Sequence, residues 1–166
     1  LGSTTDSLDP ATYNDTYMQV VGFGFRNCLT EVSNEDELIP ELAESWEASD
    51  DATQWTFKLR KGVEWHDGSP FTADDVVYSM MRHLGEGSTS KAKVLVGDVK
   101  EWVKDDDHTV RAVMTAPNAE LPVVLGTFHF KIVKNGTTEF QSPVGTGPYI
   151  PDEFKPGVRS VHSRNE

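Results

Sequence analysis

Apolar and polar residues alternate over two pairs of segments, and this alternation predicts two β-hairpins. Residues 55–60 alternate strictly, as expected for a strand with one buried face. A turn at 49–53 precedes them, so we expect segment 38–48 to pair with them in an antiparallel hairpin. Segments 94–103 and 109–114 flank an acidic turn and predict the second hairpin in the same way.

Between the two hairpins the apolar period changes to that of a helix. Thr72 is the predicted N-cap, and Asp75 follows at the spacing of a capping box. Val76, Met80 and Leu84 recur on one face, which favours an amphipathic helix that packs on a core.

The remaining segments have weaker patterns. The pattern over 16–32 predicts a helix with Thr16 as its N-cap. A short helix is expected at 119–125, and extended segments are expected at 128–133 and 158–164. The predicted fold class is therefore α/β in the sense of a mixed α+β domain.

Charge and composition exclude several classes of partner. The 166 residues carry a net charge of −12, with 27 acids against 15 bases, which argues against nucleic acid or an anionic membrane as a partner. No apolar run is long enough to span a bilayer. The first residues do not resemble a signal peptide, so we expect either a cytosolic protein or a chain whose leader has been removed. Cys28 is the only cysteine and is expected to be buried as a small apolar residue.

Residue patterns typical of catalysis or metal binding are missing from the sequence. The five histidines are scattered without zinc-site spacing. The aspartates at 105–107 do not fit a calcium-binding loop, and the turn at 145–148 lacks the lysine of a phosphate loop. We therefore expect a binding protein rather than an enzyme, with no catalytic residues, metal site or cofactor.

One long stretch of the sequence resembles a known family. Residues 38–82 contain LAESW, then WTFKLRKGV, then HDGSPFTADDV, in that order. This string is similar to the N-terminal motifs of the bacterial extracellular solute-binding proteins of family 5. Leu8-Asp9-Pro10 near the start, PVGTGPY at 143–149 and Arg164-Asn165 lie where the family has comparable motifs.

The resemblance implies a two-lobed fold, the type II fold of periplasmic binding proteins. On this basis residues 1–34 begin lobe one, residues 35–140 form an inserted subdomain built on antiparallel hairpins, and residues 141–166 return into lobe one. Members of the family are much longer, so we expect this chain to be an N-terminal fragment without the second lobe.

The resemblance also implies a function. The family supplies the substrate-binding components of ABC importers, so oligopeptides or dipeptides are the expected solutes and the membrane permease is the expected protein partner. Nickel complexes, haem or oligosaccharides are alternative cargoes on the same fold, and an extracellular hydrolase is the alternative from another class. The expected location is the periplasm or the outer cell surface, and the isolated fragment is expected to self-associate.

Four residues are the predicted ligand contacts. Tyr13 and Met18 occupy positions that line the cleft in the family's nickel binder, and Phe128 and His129 lie on a predicted strand that approaches the cleft. The chain departs from the family at Arg26, where members commonly have a glutamate. This reversal of charge means that ligand chemistry at position 26 cannot be carried over.

Overall fold

The computed structural model describes residues 2–140 and 143–166, whose strands form three antiparallel sheets. The helices and strands in chain order are α1 (Thr16–Phe25), β1 (Thr30–Val32), β2 (Leu38–Pro40), β3 (Ala43–Ala48), β4 (Gln54–Leu59), α2 (Ala73–Met81), β5 (Val99–Asp106), β6 (Thr109–Met114), α3 (Leu121–Val124), β7 (Tyr149–Lys155) and β8 (Arg159–Arg164). Short 3-10 helices cover Pro10–Thr12, Lys93–Val96 and Phe128–Phe130.

The two predicted hairpins join in one four-stranded sheet of order β3-β4-β6-β5. The turn at 49–53 connects β3 to β4, and the register places Trp46 opposite Phe57. Strand β4 also pairs with β6, which sets Phe57 opposite Val110. Both hairpin predictions are confirmed, and the pairing of β4 with β6 is the long-range contact that unites them.

Helix α2 packs against strands β5 and β6 of this sheet and closes the larger core. Val76 and Met80 from the helix and Phe57 and Trp102 from the sheet are all buried. The rings of Phe57 and Trp102 are tilted, with centroids 5.7 Å apart. Each fully buried side chain of this size contributes about 1.5–3 kcal/mol relative to exposure.

A second, smaller core forms where the chain begins. Leu8, Tyr13, Met18 and Phe25 are buried together, and half-buried aromatic residues from later in the chain pack around them, including Phe128. Helix α1 and the 3-10 helices at Pro10–Thr12 and Phe128–Phe130 supply most of this cluster.

The prediction of a helix over 16–32 is wrong in length and in its cap. The carboxylate of Asp15, not the hydroxyl of Thr16, accepts the cap hydrogen bond, from the Met18 amide at 3.0 Å. The helix ends at Phe25 because Arg26 is extended. The chain then enters β1, which pairs with β2.

Other segments differ from their predictions in similar ways. Residues 128–133 are not a strand, because Phe128–Phe130 forms a 3-10 turn. Segment 94–103 becomes a strand only at Val99, after the 3-10 helix at Lys93–Val96. Segment 38–48 divides into β2 and β3, and the final extended segment is half of a hairpin whose first strand, β7, was not predicted.

The two domain boundaries inferred from the resemblance stay predictions. The boundary at 141 lies outside the described residues. Leu29, from the segment assigned to lobe one, belongs to the larger core together with residues of the four-stranded sheet.

Candidate functional site

Tyr13 and Met18 lie in the smaller core and line one cavity. Their side chains are only 2% and 1% exposed. The cavity has a volume of about 260 Å³ and is otherwise polar, with a wall formed by Ser3, Thr5, Asp6, Ser7, Thr12, Tyr13, Asn14, Asp15 and Met18. Tyr13 and Met18 therefore form the apolar part of a small polar depression.

The position of Tyr13 is fixed by a hydrogen bond of its hydroxyl and by the close approach of helix α1 to its ring. Its hydroxyl donates a hydrogen bond to the carbonyl of Leu8 at 3.3 Å. A Cβ added at Gly22 would lie 2.6 Å from the ring, so glycine is needed in α1 for the close approach. Burial raises the pKa of Tyr13 to about 12, which keeps its hydroxyl protonated and neutral at pH 7.

Phe128 and His129 reach the same region from a distant part of the sequence. The Nε2 of His129 donates to the carbonyl of Tyr13 at 2.9 Å, because a carbonyl oxygen only accepts. The rings of Phe128 and His129 have centroids 4.2 Å apart, and Phe128 packs against the cluster that contains Met18. The structure thus brings the four predicted residues together, and their role as ligand contacts stays a prediction.

Arg26 lies beside this group and is completely enclosed. Its Nη1 donates to the carbonyl of Leu8, which also accepts from Tyr13. Its guanidinium stacks over the ring of Phe25 at 4.6 Å and over the ring of Phe140 at 5.7 Å. Burial lowers the pKa of Arg26 from its usual value, but an arginine remains charged at pH 7. The sequence flagged this position only as a departure from the family motif.

His66, from the HDG motif, forms hydrogen bonds with the glycine-rich turn at 145–147, and this contact was not predicted from the sequence. The amide of Gly145 donates to Nδ1 of His66 at 3.2 Å, and Nε2 of His66 donates to the carbonyl of Gly147 at 2.9 Å. These bonds fix the Nε2-protonated tautomer of the ring. A Cβ at Gly145 would lie 1.7 Å from the Phe25 carbonyl oxygen, so the turn lies directly on the end of α1. The motifs that suggested chemistry therefore have a structural role here.

A second buried cation lies close to Cys28. The Nζ of Lys131 donates to the Arg26 carbonyl at 2.9 Å and lies 3.9 Å from the Cys28 sulfur. Burial raises the pKa of the Cys28 thiol to about 12, so the thiol is protonated and unreactive at pH 7. The expectation that Cys28 is buried is confirmed.

Within residues 2–140 and 143–166, no three His, Cys, Asp or Glu side chains are grouped closely enough to hold a metal ion. Among the helices that the structure describes, none is both long and apolar enough to cross a membrane.

The family assignment follows from comparison with known proteins. Residues 37–166 match the family model described as "Bacterial extracellular solute-binding proteins, family 5 Middle". The match covers more than half of the chain. The chain belongs to this family. The resemblance seen in residues 38–82 is therefore confirmed.

Family 5 relatives match most of this chain but only part of their own length. A probable peptide ABC transporter periplasmic-binding protein of Sinorhizobium fredii is 30% identical over 96% of this chain and 31% of its own length. The dipeptide-binding protein of Escherichia coli is 34% identical over 74% of this chain and 28% of its own length. These relatives are solute-binding proteins rather than enzymes, and their names include periplasmic and peptide binding.

A solved structure of a periplasmic binding protein establishes the fold. The periplasmic binding protein AgaA from A. tumefaciens R10, in complex with agropinic acid, superposes on 98% of this chain with a TM-score of 0.89 and 25% identity. The predicted fold, that of the type II periplasmic binding proteins, is confirmed. The chain covers 34% of the AgaA chain, so it corresponds to about a third of that structure.

Proposed function

We propose that this chain is part of the substrate-binding component of an ABC importer that captures oligopeptides or dipeptides. The observation that supports this best is that Tyr13 and Met18 line one polar cavity while Phe128 and His129 contact the same small cluster. These residues come from both ends of the chain, in a fold shared with peptide-binding relatives.

The size of the cavity suggests how the solute is held. Sites that enclose small ligands usually measure about 300–1,000 Å³, and the cavity beside Tyr13 measures about 260 Å³. In our proposal this surface contacts one side of the solute, and the rest of the site comes from the part of the relatives that this chain does not match. Closure around the solute then selects the bound state.

The proposed contact residues would interact with different chemical groups of the solute. Met18 at the cavity wall and the half-buried Phe128, which packs on the same cluster, would offer apolar surface to a solute side chain. Asp6 and Asp15 at the cavity wall suit an amino group. His129 positions the Tyr13 backbone through its hydrogen bond to the carbonyl.

The proposed partners and location follow from the family. The membrane permease of the importer would receive the solute from the closed binding protein. The protein would act in the periplasm or at the outer cell surface, where relatives of this kind are named as periplasmic.

Isothermal titration with a panel of dipeptides and tripeptides tests the proposal. We expect the complete gene product to bind a peptide tightly and the 166-residue chain to bind it weakly or not at all. Replacing Met18 by Ala should weaken binding, whereas Met81→Ala, at an exposed position on α2, should not. Failure of the complete protein to bind any peptide, or tight binding by the 166 residues alone, would contradict the proposal.

Native mass spectrometry of the complete protein from its own host would identify the cargo directly. A retained mass equal to a peptide supports the proposal. A nickel complex, a haem or an oligosaccharide would replace the peptide as the cargo while leaving the importer role in place.

A further inference from the structure

The guanidinium of Arg26 has an unused hydrogen-bonding edge. Its Nη1 is bonded to the Leu8 carbonyl. Its Nε and Nη2 are fully buried and have no hydrogen-bond partner among the described residues. Leaving such donors unpaired in a protein interior costs about 1–3 kcal/mol each, more for a charged group, so native structures rarely retain them.

The geometry of this edge indicates which group is missing. In a guanidinium, the Nε–H and one Nη–H lie parallel on one side, and together they fit the two oxygens of a carboxylate. In Arg26 the Leu8 carbonyl is bonded to Nη1, which does not belong to this Nε–Nη2 pair. The free pair therefore has the spacing and the charge for a two-bond contact with one carboxylate.

The described acids do not supply that carboxylate. Asp9 is the acid that acts on Arg26 from nearby, but its Oδ2 pairs with Nη2 of Arg82 at 2.5 Å and its Oδ1 accepts from the Ala11 amide at 3.0 Å. The Tyr13 hydroxyl donates to Leu8 and also lies within hydrogen-bonding reach of the guanidinium, where it raises the pKa of Arg26, but it is neutral at pH 7 and supplies no negative charge. No described acid forms an ion pair with Arg26 within 4.0 Å.

The surroundings of Arg26 hold excess positive charge. Arg82 stacks over the same Phe140 ring at 4.8 Å, and among the described acids only Asp9 acts on both arginines. The chain as a whole has a net charge of −12, so the positive charge around Arg26 is opposite in sign to that of the rest of the protein. A buried charge is tolerated when it is paired, and here one negative charge is lacking.

We infer that the Nε–Nη2 edge of Arg26 binds a carboxylate that comes from outside the described residues. Two sources share this chemistry: a carboxylate of the transported solute, or an acid in the part of the complete protein that this chain does not include. The first source rests on the proposed function, whereas the second does not.

The test uses the complete gene product and its variants Arg26→Gln and Arg26→Lys, with Arg60→Gln as the control. Arg60 is exposed, so its replacement removes one charge without touching the enclosed group. Each protein is titrated with peptides that carry either a free C-terminal carboxylate or a C-terminal amide, and is melted without ligand.

If the solute supplies the carboxylate, Arg26→Gln should lower the affinity for the free-acid peptide by about 30-fold or more. The affinity for the amidated peptide should stay nearly unchanged. Arg26→Lys should recover little of this loss, because an ammonium does not present two parallel donors. If the protein's own chain supplies it, Arg26→Gln should lower the melting temperature of the ligand-free protein more than Arg26→Lys does, because lysine keeps the positive charge that pairs with the acid. Both variants should then leave the preference between acid and amide unaltered.

The inference is overturned if both Arg26 variants match Arg60→Gln in peptide preference and Arg26→Gln melts at the same temperature as Arg26→Lys or higher, because an unpaired buried lysine is then the less stable replacement. If no peptide binds even the unmodified protein, the proposed function fails while the melting measurement still decides the role of Arg26.

Discussion

At the scale of single residues, buried titratable groups make the stability of this protein depend on pH. His83 is 2% exposed, its Nδ1 lies 2.7 Å from the Ser90 hydroxyl, and its ring lies 4.6 Å from that of Phe130. Burial, with a smaller effect from the charge of Arg82, lowers the pKa of His83 to about 4. The ring is therefore neutral in the folded protein at pH 7.

We predict that the free energy of unfolding falls as the pH drops from 6.5 toward 4. In this window the unfolded chain binds a proton at position 83 and the folded chain does not, so each pH unit costs about 1.4 kcal/mol and the full window about 3 kcal/mol. Above pH 6.5 the contribution is fully present. Urea unfolding at a series of pH values measures the slope.

His83→Gln should flatten that slope between pH 6.5 and 4, because it removes the group that titrates. His108→Gln, at a less buried position in the turn before β6, should leave the slope close to that of the unmodified chain. Equal slopes for the unmodified chain and the His83 variant would contradict the prediction.

At the scale of elements, one carboxylate joins the start of α2 to three parts of the chain. Asp75 is buried and accepts hydrogen bonds from the Thr72 amide at 2.8 Å, from Nε1 of Trp65 at 3.2 Å and from the Asn135 amide at 2.8 Å. The spacing of a capping box predicted the first contact. The other two contacts form because the tertiary structure brings Trp65 and Asn135 to the start of this helix.

We predict that Asp75→Ala destabilises the chain by about 3 kcal/mol, because the buried Trp65 indole and two partly buried amides, those of Thr72 and Asn135, lose their acceptor. Asp74→Ala, one residue earlier, should cost less than about 0.5 kcal/mol, since that side chain is half exposed and pairs with Lys104 at the surface. Chemical denaturation of the two variants side by side checks the difference. Similar losses for both would show that Asp75 acts only as an ordinary cap.

At the scale of the whole molecule, apolar side chains are exposed around α1 and the final hairpin. Val20 and Phe23 on α1 are 65% and 50% exposed, and Tyr149 and Val161 on β7 and β8 are 47% and 41% exposed. Helix α1 contacts β7, so these side chains belong to neighbouring elements. Exposed apolar surface of this kind marks a region that associates with another protein surface.

We predict that the 166-residue chain self-associates through this region as its concentration rises. Val20→Lys should shift light scattering toward the monomer, because burying the new charge at a contact is costly. Val94→Lys is the matched control, since Val94 is 83% exposed on the distant 3-10 helix at Lys93–Val96. A monomer at every concentration, or an equal effect of both variants, would contradict the prediction.

The candidate site could be predicted only in part. Tyr13 and Met18 were named from the resemblance, but their burial depends in part on packing from Phe128, which is 110 residues further along the chain than Met18. The predicted strand at 128–133 failed because alternation in a short apolar run does not distinguish a strand from a 3-10 turn. The sequence gives no sign that Nε and Nη2 of Arg26 lack partners, because this depends on all the residues that surround the side chain in the folded protein.

By itself, the sequence determined the local elements and the family. Period-two alternation placed β4 and β6, the Thr72–Asp75 spacing placed the start of α2, and the ordered motifs of 38–82 identified the family, because these features depend on neighbours a few residues apart. Tertiary structure alone decided the union of the two hairpins, the docking of His66 on the glycine turn and the enclosure of Arg26. These depend on contacts between distant segments, whose free energy is settled only when the whole core packs.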